Sequence, residues 1–359
     1  VPIARDSQLF FLPQKRLVWE SLQSLELGLW APEINFGAPL LANFQSGFFY
    51  PPNWLYAAAP LLPAYNVLLV FHFVLGGVLT CLLARELDFG PAAAWTAAAA
   101  YMLGGYFVSL TNLINVLQTA AWVPGIVLAV LVHARRWSLG SFLGLLAVVL
   151  MAFLAGEPAT FVLGVGMAAL VGCVQVGGRS SGGAAGRRLG LLLGHLALVG
   201  AIALALTAVQ VLPTLDLIEH STRSGGLSFL EASGYSLDPV RLQQFLVPPD
   251  YTDPTYEFGV KSRLYRSVPW LFSVYVGGTV AALAAFAVWE GRERAEIAAW
   301  TGTALLGLVL ALGPATPVFG WLHAYAPGFS SFRYPERFAL LVALPGAMLA
   351  AHGVRTIRR

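Results

Sequence analysis

Long apolar runs, separated by short basic turns, fill most of this chain. Nine of them read as membrane crossings: Tyr65–Ala84, Pro91–Leu110, Thr119–Ala134, Leu139–Ala155, Pro158–Gln175, Leu189–Gln210, Pro269–Trp289, Glu296–Gly313 and Arg337–His352. Most approach the roughly 17–25 residues that a helix needs to span a hydrocarbon core. Two polar segments interrupt the pattern, 1–64 (Val1–Ala64) and 211–268 (Val211–Val268). In the first, Pro13 suits an opening helical turn. Leu17, Val18, Leu22 and Leu25 then recur at helical spacing, with Lys15, Glu20, Gln23 and Ser24 on the other face. That pattern predicts a helix lying in the membrane interface. The proline- and glycine-punctuated run Trp30–Pro63, with Trp30, Phe44, Phe48, Phe49, Tyr50 and Trp54, reads as a packed loop at headgroup level. Gly177–Gly186 reads as a flexible linker.

Charge orients these spans. The turns Arg85–Gly90, Arg135–Ser138, Val176–Arg188 and Glu290–Ala295, with Glu296 and the tail Gly353–Arg359, hold eleven bases against five acids. The remaining segments hold ten bases against thirteen acids, which recovers the net +3. By the positive-inside rule the arginine-rich side is cytoplasmic and both long polar segments face outward. Composition agrees: at 57% hydrophobic, 11% charged and a mean hydropathy of +0.71, an integral membrane protein is the class that fits. The basic excess lies in the inner turns, so nucleic acid is not an expected partner. Cys81 and Cys173 sit inside apolar runs and read as packing residues. The expected fold is an all-α polytopic bundle forming one transmembrane domain over 1–359. Nine crossings would leave the two ends on opposite sides. With Val1 opening the chain outside, we expect a piece of a longer protein, lacking a first helix and a C-terminal part.

Seven residues stand out as candidate carriers of chemistry. Asp6, at the outer interface, can act as a general base toward an acceptor hydroxyl, or simply pair with Arg5 or Lys15. Arg333 and Arg337 flank Pro335 before the last span, and two guanidinium forks suit a phosphate; snorkelling or pairing with Glu336 is the plainer role. Glu157, in the tight turn Gly156-Glu157-Pro158, sits near the membrane plane, where carboxylates are often functional, unless it is a solvated turn residue. Asp250, Asp253 and Glu257 leave room for a divalent cation, though their spacing matches no known loop. No HExxH, Walker or GxSxG pattern occurs, so metalloprotease, ATPase and hydrolase readings have no support.

Several stretches carry a resemblance. Asp6-Ser7-Gln8-Leu9-Phe10-Phe11-Leu12-Pro13, Leu29-Trp30-Ala31-Pro32 and the run from Gly37 to Asn53 resemble the first outer loop of the bacterial YfhO-like membrane proteins. Tyr235-Ser236-Leu237-Asp238-Pro239 with Pro248, Tyr275-Val276-Gly277, Ala311–Pro317 and Phe332–Phe338 are similar to that family too, in order and over nearly the whole chain. The family is similar to the GT-C glycosyltransferases, which take a sugar from a polyprenyl-phosphate carrier to an acceptor outside the cytoplasmic membrane. The resemblance implies a catalytic carboxylate at Asp6. At Gly156-Glu157-Pro158-Ala159, relatives commonly read Gly-His-Pro-Gln, so the role of Glu157 departs from the pattern. The expectation is an inverting transferase in the bacterial inner membrane. Its partners would be a polyprenyl-phosphate-linked sugar, membrane lipid and an extracytoplasmic glycan or polymer. A lipid-linked-sugar flippase and a non-catalytic scaffold are the alternatives.

Overall fold

The structure is a computed structural model that describes residues 6–34, 36–178, 183–221, 224–248, 269–291 and 294–358. Asp250, Asp253 and Glu257 lie outside the described residues. What is described is helical, with one isolated bridge between Ala31 and Ala38. In chain order the principal helices are α1 (Leu12–Gln23), α2 (Leu61–Glu86), α3 (Pro91–Met102), α4 (Gly105–Ser109), α5 (Ile114–Arg136), α6 (Leu139–Leu154) and α7 (Pro158–Gly178). They continue as α8 (Gly183–Leu206), α9 (Ala208–Glu219), α10 (Gly278–Glu290), α11 (Arg294–Ala311), α12 (Pro317–Tyr325) and α13 (Leu340–Ile357). Five stretches of described helix are long and apolar enough to cross a membrane: Leu61–Glu86, Ile114–Arg136, Pro158–Gly178, Ala185–Leu206 and Pro335–Ile357. Leu139–Leu154, Gly278–Glu290 and Ala295–Ala311 are apolar but shorter.

Two of the expected spans are interrupted well inside their bounds, while Leu189–Gln210 breaks at Thr207 near its end, between α8 and α9. Pro91–Leu110 breaks at Leu103-Gly104 into α3 and α4. Over Pro269–Trp289, helix begins only at Gly278. The two departures share one cause. The non-helical strip before Gly278 takes its hydrogen bonds from the broken helix: Gly105 N–H donates to Tyr275 O at 2.6 Å, Ser109 Oγ to Ser273 O at 2.9 Å, and Ser273 N–H to Ser109 Oγ at 2.7 Å. A Cβ on Gly105 would fall 2.4 Å from Ser273 Oγ and 2.5 Å from Tyr275 N, so the side chain has to be absent there. Non-helical backbone inside an apolar bundle persists only where protein satisfies it in this way.

Contacts divide the chain into two compact units, residues 1–79 with 110–224 and residues 80–109 with 225–359. In the first, α5 is the central helix and packs on α6 and α7, which with α6 also carries α8. In the second, α13 packs on α3, α10 and α11. Small residues let these helices close: Ala93, Ala94, Ala97 and Ala98 form the buried face of α3. A Cβ on Gly353 of α13 would lie 2.3 Å from Leu283 O of α10. Between lipid-bathed helices burial of apolar area gives little drive, so such close backbone packing supplies cohesion.

One ion pair organises the second unit. Arg241 and Glu336 are each 1% exposed, and the Arg241 guanidinium meets the Glu336 carboxylate. Arg241 also donates to Leu271 O at 2.7 Å and to Gln244 Oε1 at 3.2 Å, while Glu336 accepts from Leu271 N–H at 2.7 Å. Glu336, read from sequence as a neighbour for Arg337, is thus committed to a residue 95 positions away. Replacing Glu336 with Gln leaves a buried guanidinium uncompensated and is expected to cost on the order of 3–5 kcal/mol. The lowered unfolding midpoint of the purified chain reads this out, and a loss below about 1 kcal/mol would show that the pair does not hold the unit.

Candidate functional site

The site in the first unit starts from a row of polar side chains at one end of α5. Asn112, in the 3-10 turn just before α5, and Asn115, Gln118, Thr119 and Trp122 of α5 recur at three- and four-residue steps in a mostly apolar stretch. The span expected from Thr119 begins instead at Ile114, so Asn115 and Gln118 belong to the helix and not to a loop. Asn112 Oδ1 accepts from the backbone N–H groups of Asp6 and Ser7, at 2.9 and 3.1 Å. Ser7 Oγ donates to Thr111 O at 2.9 Å. Asn115 Nδ2 donates to Gly156 O at 3.2 Å. Gln118 Nε2 donates to Asn53 Oδ1 at 2.7 Å, and Trp122 Nε1 to Tyr50 OH at 2.7 Å. Tyr50 in turn meets His72 Nε2 at 2.7 Å.

This row fixes both candidate carboxylates of the unit. Asp6 is half-buried at the start of a π-helical turn that runs into α1, its backbone clamped to Asn112. Glu157 follows a glycine at φ +98° that leaves no room for a Cβ, 2.9 Å from Phe44 O. The Glu157 side chain is 6% exposed and accepts from Thr160 N–H at 2.6 Å, capping the start of α7. The solvated-turn alternative for Glu157 is therefore corrected: the turn is buried under the first polar segment. Asp6 and Glu157 thus hang from anchor residues three positions apart, at the same end of α5.

Lys15 is the residue that the sequence reading placed wrongly. Of the expected apolar face Leu17, Val18, Leu22 and Leu25, Val18 alone is buried. α1 ends at Gln23, Leu25 is 93% exposed, and the face turned inward is Phe11, Gln14, Lys15 and Val18. The Lys15 ammonium is fully buried and donates to Ser46 O at 2.6 Å. Burial alone pulls its pKa down from 10.5 to about 7. Around it, Asn53 Nδ2 donates to Gly47 O at 2.9 Å, and a Cβ on Gly47 would lie 2.7 Å from Asn53 Nδ2 and 3.3 Å from Lys15 Nζ. Gln14 Oε1, Ser46 Oγ, Asn112 Nδ2, Asn115 Oδ1, Gln118 Oε1 and Thr119 Oγ1 are buried without a hydrogen-bond partner among the described residues. Hydrogen-bonding capacity left open on this scale is costly in a core and is characteristic of a place where polar ligand groups are received.

In the second unit the arginine pair stands among aromatic rings. Tyr334 has φ +64°, and the Arg333 guanidinium sits 4.5 Å from its ring centre. Arg337, 6% exposed, stacks on Trp270 at 5.4 Å and reaches the Tyr334 ring at 6.0 Å. Such stacking holds a planar cation in place. Among the described residues no group of three His, Cys, Asp or Glu is placed to hold a metal ion. The histidines are less scattered than they look in sequence: His133 Nε2 lies 2.9 Å from His195 Nδ1. The missed residues had one signal, the Asn112-x2-Asn115-x2-Gln118 spacing in an apolar stretch; nothing in the sequence marked Lys15 or Arg241 as buried.

Lys15 makes stability depend on pH in a defined direction. The folded chain releases the Lys15 proton near pH 7 and the unfolded chain near 10.5. Between those values the unfolded state binds the extra proton, so stability rises as pH rises through this window. Below about pH 7 both states are protonated and the full penalty stands. Comparing unfolding midpoints of the wild-type chain and Lys15→Met from pH 6 to 10 is expected to show the variant more stable at the acid end, with the gap closing toward alkaline pH. A constant gap would remove the buried-amine account.

A scan against protein-family models gives no match, and searches of curated proteins and of solved structures give none either.

Proposed function

We propose that this chain is a glycosyltransferase of the bacterial cytoplasmic membrane, with the GT-C architecture of the YfhO-like proteins. It moves a sugar from a polyprenyl-phosphate carrier to an extracytoplasmic glycan, polymer or glycolipid. On this reading the chain crosses nine times: the five long helices, the three shorter apolar ones, and the interrupted pair α3–α4. The observation that carries the proposal is the polar cluster at the end of α5. Hydroxyl-rich sugars are recognised by buried amides and hydroxyls with hydrogen bonds to spare, and this cluster gathers them beside Asp6, whose backbone is clamped to Asn112.

In this reaction the Asp6 carboxylate takes the proton of the acceptor hydroxyl as the oxygen bonds to the anomeric carbon. The bond from that carbon to the carrier phosphate breaks, and the phosphate leaves with the electron pair, needing cations and no protonation. The carrier phosphate is assigned to Arg333 and Arg337 in the second unit. Glu157, bonded to the start of α7, fits a positioning role for the first polar segment better than a second base. A divalent ion is left to Asp250, Asp253 and Glu257, which lie outside the described residues.

A second reading has its own support. A broken helix braced by non-helical backbone is a feature of transporters, and Gly105–Tyr275 supplies one here. A flippase would carry the lipid-linked sugar across intact.

Asp6→Asn keeps size and removes basicity, and is expected to lower sugar transfer by about 10²–10⁴-fold at equal protein abundance. Arg337→Lys keeps the charge but loses the planar fork, and is expected to weaken use of the polyprenyl-phosphate donor beyond what a conservative change suggests. Transfer of labelled sugar in membranes carrying each variant measures both. Undiminished transfer by Asp6→Asn would remove Asp6 from the chemistry. Carrier movement without any transfer by the full-length protein would favour the flippase. The orientation is tested separately: a cysteine placed at Gly186 is expected to resist impermeant label added to intact cells, and ready labelling would reverse the topology.

A further inference from the structure

A cavity of about 200 Å³ lies at the other end of the first unit, where α5 and α7 finish and α8 starts. Arg135, Arg188, Trp137 and Gln175 line it together with three aliphatic side chains. We propose that this cavity binds the phosphate headgroup of an anionic phospholipid of the surrounding bilayer.

Charge is the first support. Between Ile114 and Leu206 the only acid is Glu157, and it sits at the opposite ends of these helices. Arg135, Arg136, Arg187 and Arg188 gather at one end of the unit, where α5 finishes and α8 starts. For Arg135 and Arg136 a plain role is available, because cations in the last turn of α5 complement its dipole. That role fails for Arg187 and Arg188. They lie in the second turn of α8, far from the negative end of its dipole, so helix-dipole stabilisation does not account for them.

The second support is the shape and position of the cavity. It sits at the boundary of three candidate spans, where guanidinium groups can reach headgroups while aliphatic side chains meet acyl carbons. Trp137 is fixed there. It has φ +48°, its N–H donates to His133 O at 2.9 Å, and its ring lies 5.5 and 5.6 Å from those of His133 and His195. His133 is itself held by Ser141 Oγ at 3.0 Å and by His195. A rigid indole beside two arginines at the ends of membrane spans is a headgroup-level arrangement. A soluble phosphate would use the arginines and leave the aliphatic wall without a role.

Native mass spectrometry of the full chain in neutral detergent, titrated with phosphatidylglycerol or phosphatidylcholine, tests this. Retention of phosphatidylglycerol over phosphatidylcholine is expected. Arg188→Gln, a change at an exposed position, is expected to weaken phosphatidylglycerol binding about fivefold, as ~1 kcal/mol per basic residue implies. Arg16→Gln, in an exposed ion pair with Glu20 elsewhere in the unit, is expected to bind like wild type. Equal retention of the two lipids, or an undiminished preference in Arg188→Gln, overturns the proposal. Displacement of the bound lipid by inorganic phosphate at matched concentration overturns it too, because the ligand would then be a soluble anion. If Arg188→Gln does not fold, Arg135→Lys/Arg188→Lys replaces it. That pair keeps the charge and loses the forks, so weaker retention supports the site and unchanged retention removes it.

Discussion

Asn112, Asn115 and Gln118 tie a long irregular segment to the start of α5, and the first unit depends on those three amides. Each is buried, and each spends a hydrogen bond on a different piece of the first polar segment or the turn beneath it. A buried amide without a partner costs about 1–3 kcal/mol. The row on α5 therefore fixes which loop atoms lie against it, and so fixes where Asp6 and Glu157 are held. From the other side, α9 completes the arrangement: Gln210 Nε2 donates to Leu41 O and Thr214 Oγ1 to Ala42 O, both at 2.8 Å. The polar segment is ordered because the helices supply the hydrogen bonds it lacks internally.

The second unit solves the same problem with charge. Arg241 and Glu336 neutralise each other, and their spare donors and acceptors go to Gln244 and to the backbone of Leu271. That backbone opens the non-helical strip which runs past Ser273 and Tyr275 and breaks α3 from α4. The neighbouring Arg337 then stacks on Trp270 and Tyr334. Removing water from a charge is expensive, so each buried cation in this unit comes with a dedicated carboxylate or aromatic face.

Lys15 is the exception, and that makes it informative. Its ammonium has a carbonyl for company, and burial alone moves its pKa to about 7. A fold that holds a lysine there at a thermodynamic cost, among amides and hydroxyls with open capacity, is built around more than its own packing. The proposed transfer reaction accounts for this: an anion or a sugar hydroxyl in the cluster would supply the missing acceptors.

Hydropathy by itself located the long helices, because twenty apolar residues in a row have few other stable arrangements in a membrane. It also marked the polar segments as places where function sits, and picked out Asp6, Glu157, Arg333 and Arg337 from their positions beside spans. It did not determine which side of α1 turns inward. In a bilayer, lipid is as apolar as a protein core, so leucines have no preference between them. The polar residues select the interior, and Gln14 and Lys15 went in while Leu25 stayed out. Nor did it reveal the breaks at Leu103 and before Gly278, since each sequence is apolar and the break is stabilised by the other. The partners Arg241–Glu336 and Asn112–Asp6 lie 95 and 106 positions apart, and only the packed chain brought them together. Local pattern specified the elements; the need to satisfy each buried polar group, a condition set by neighbours distant in sequence, decided their arrangement.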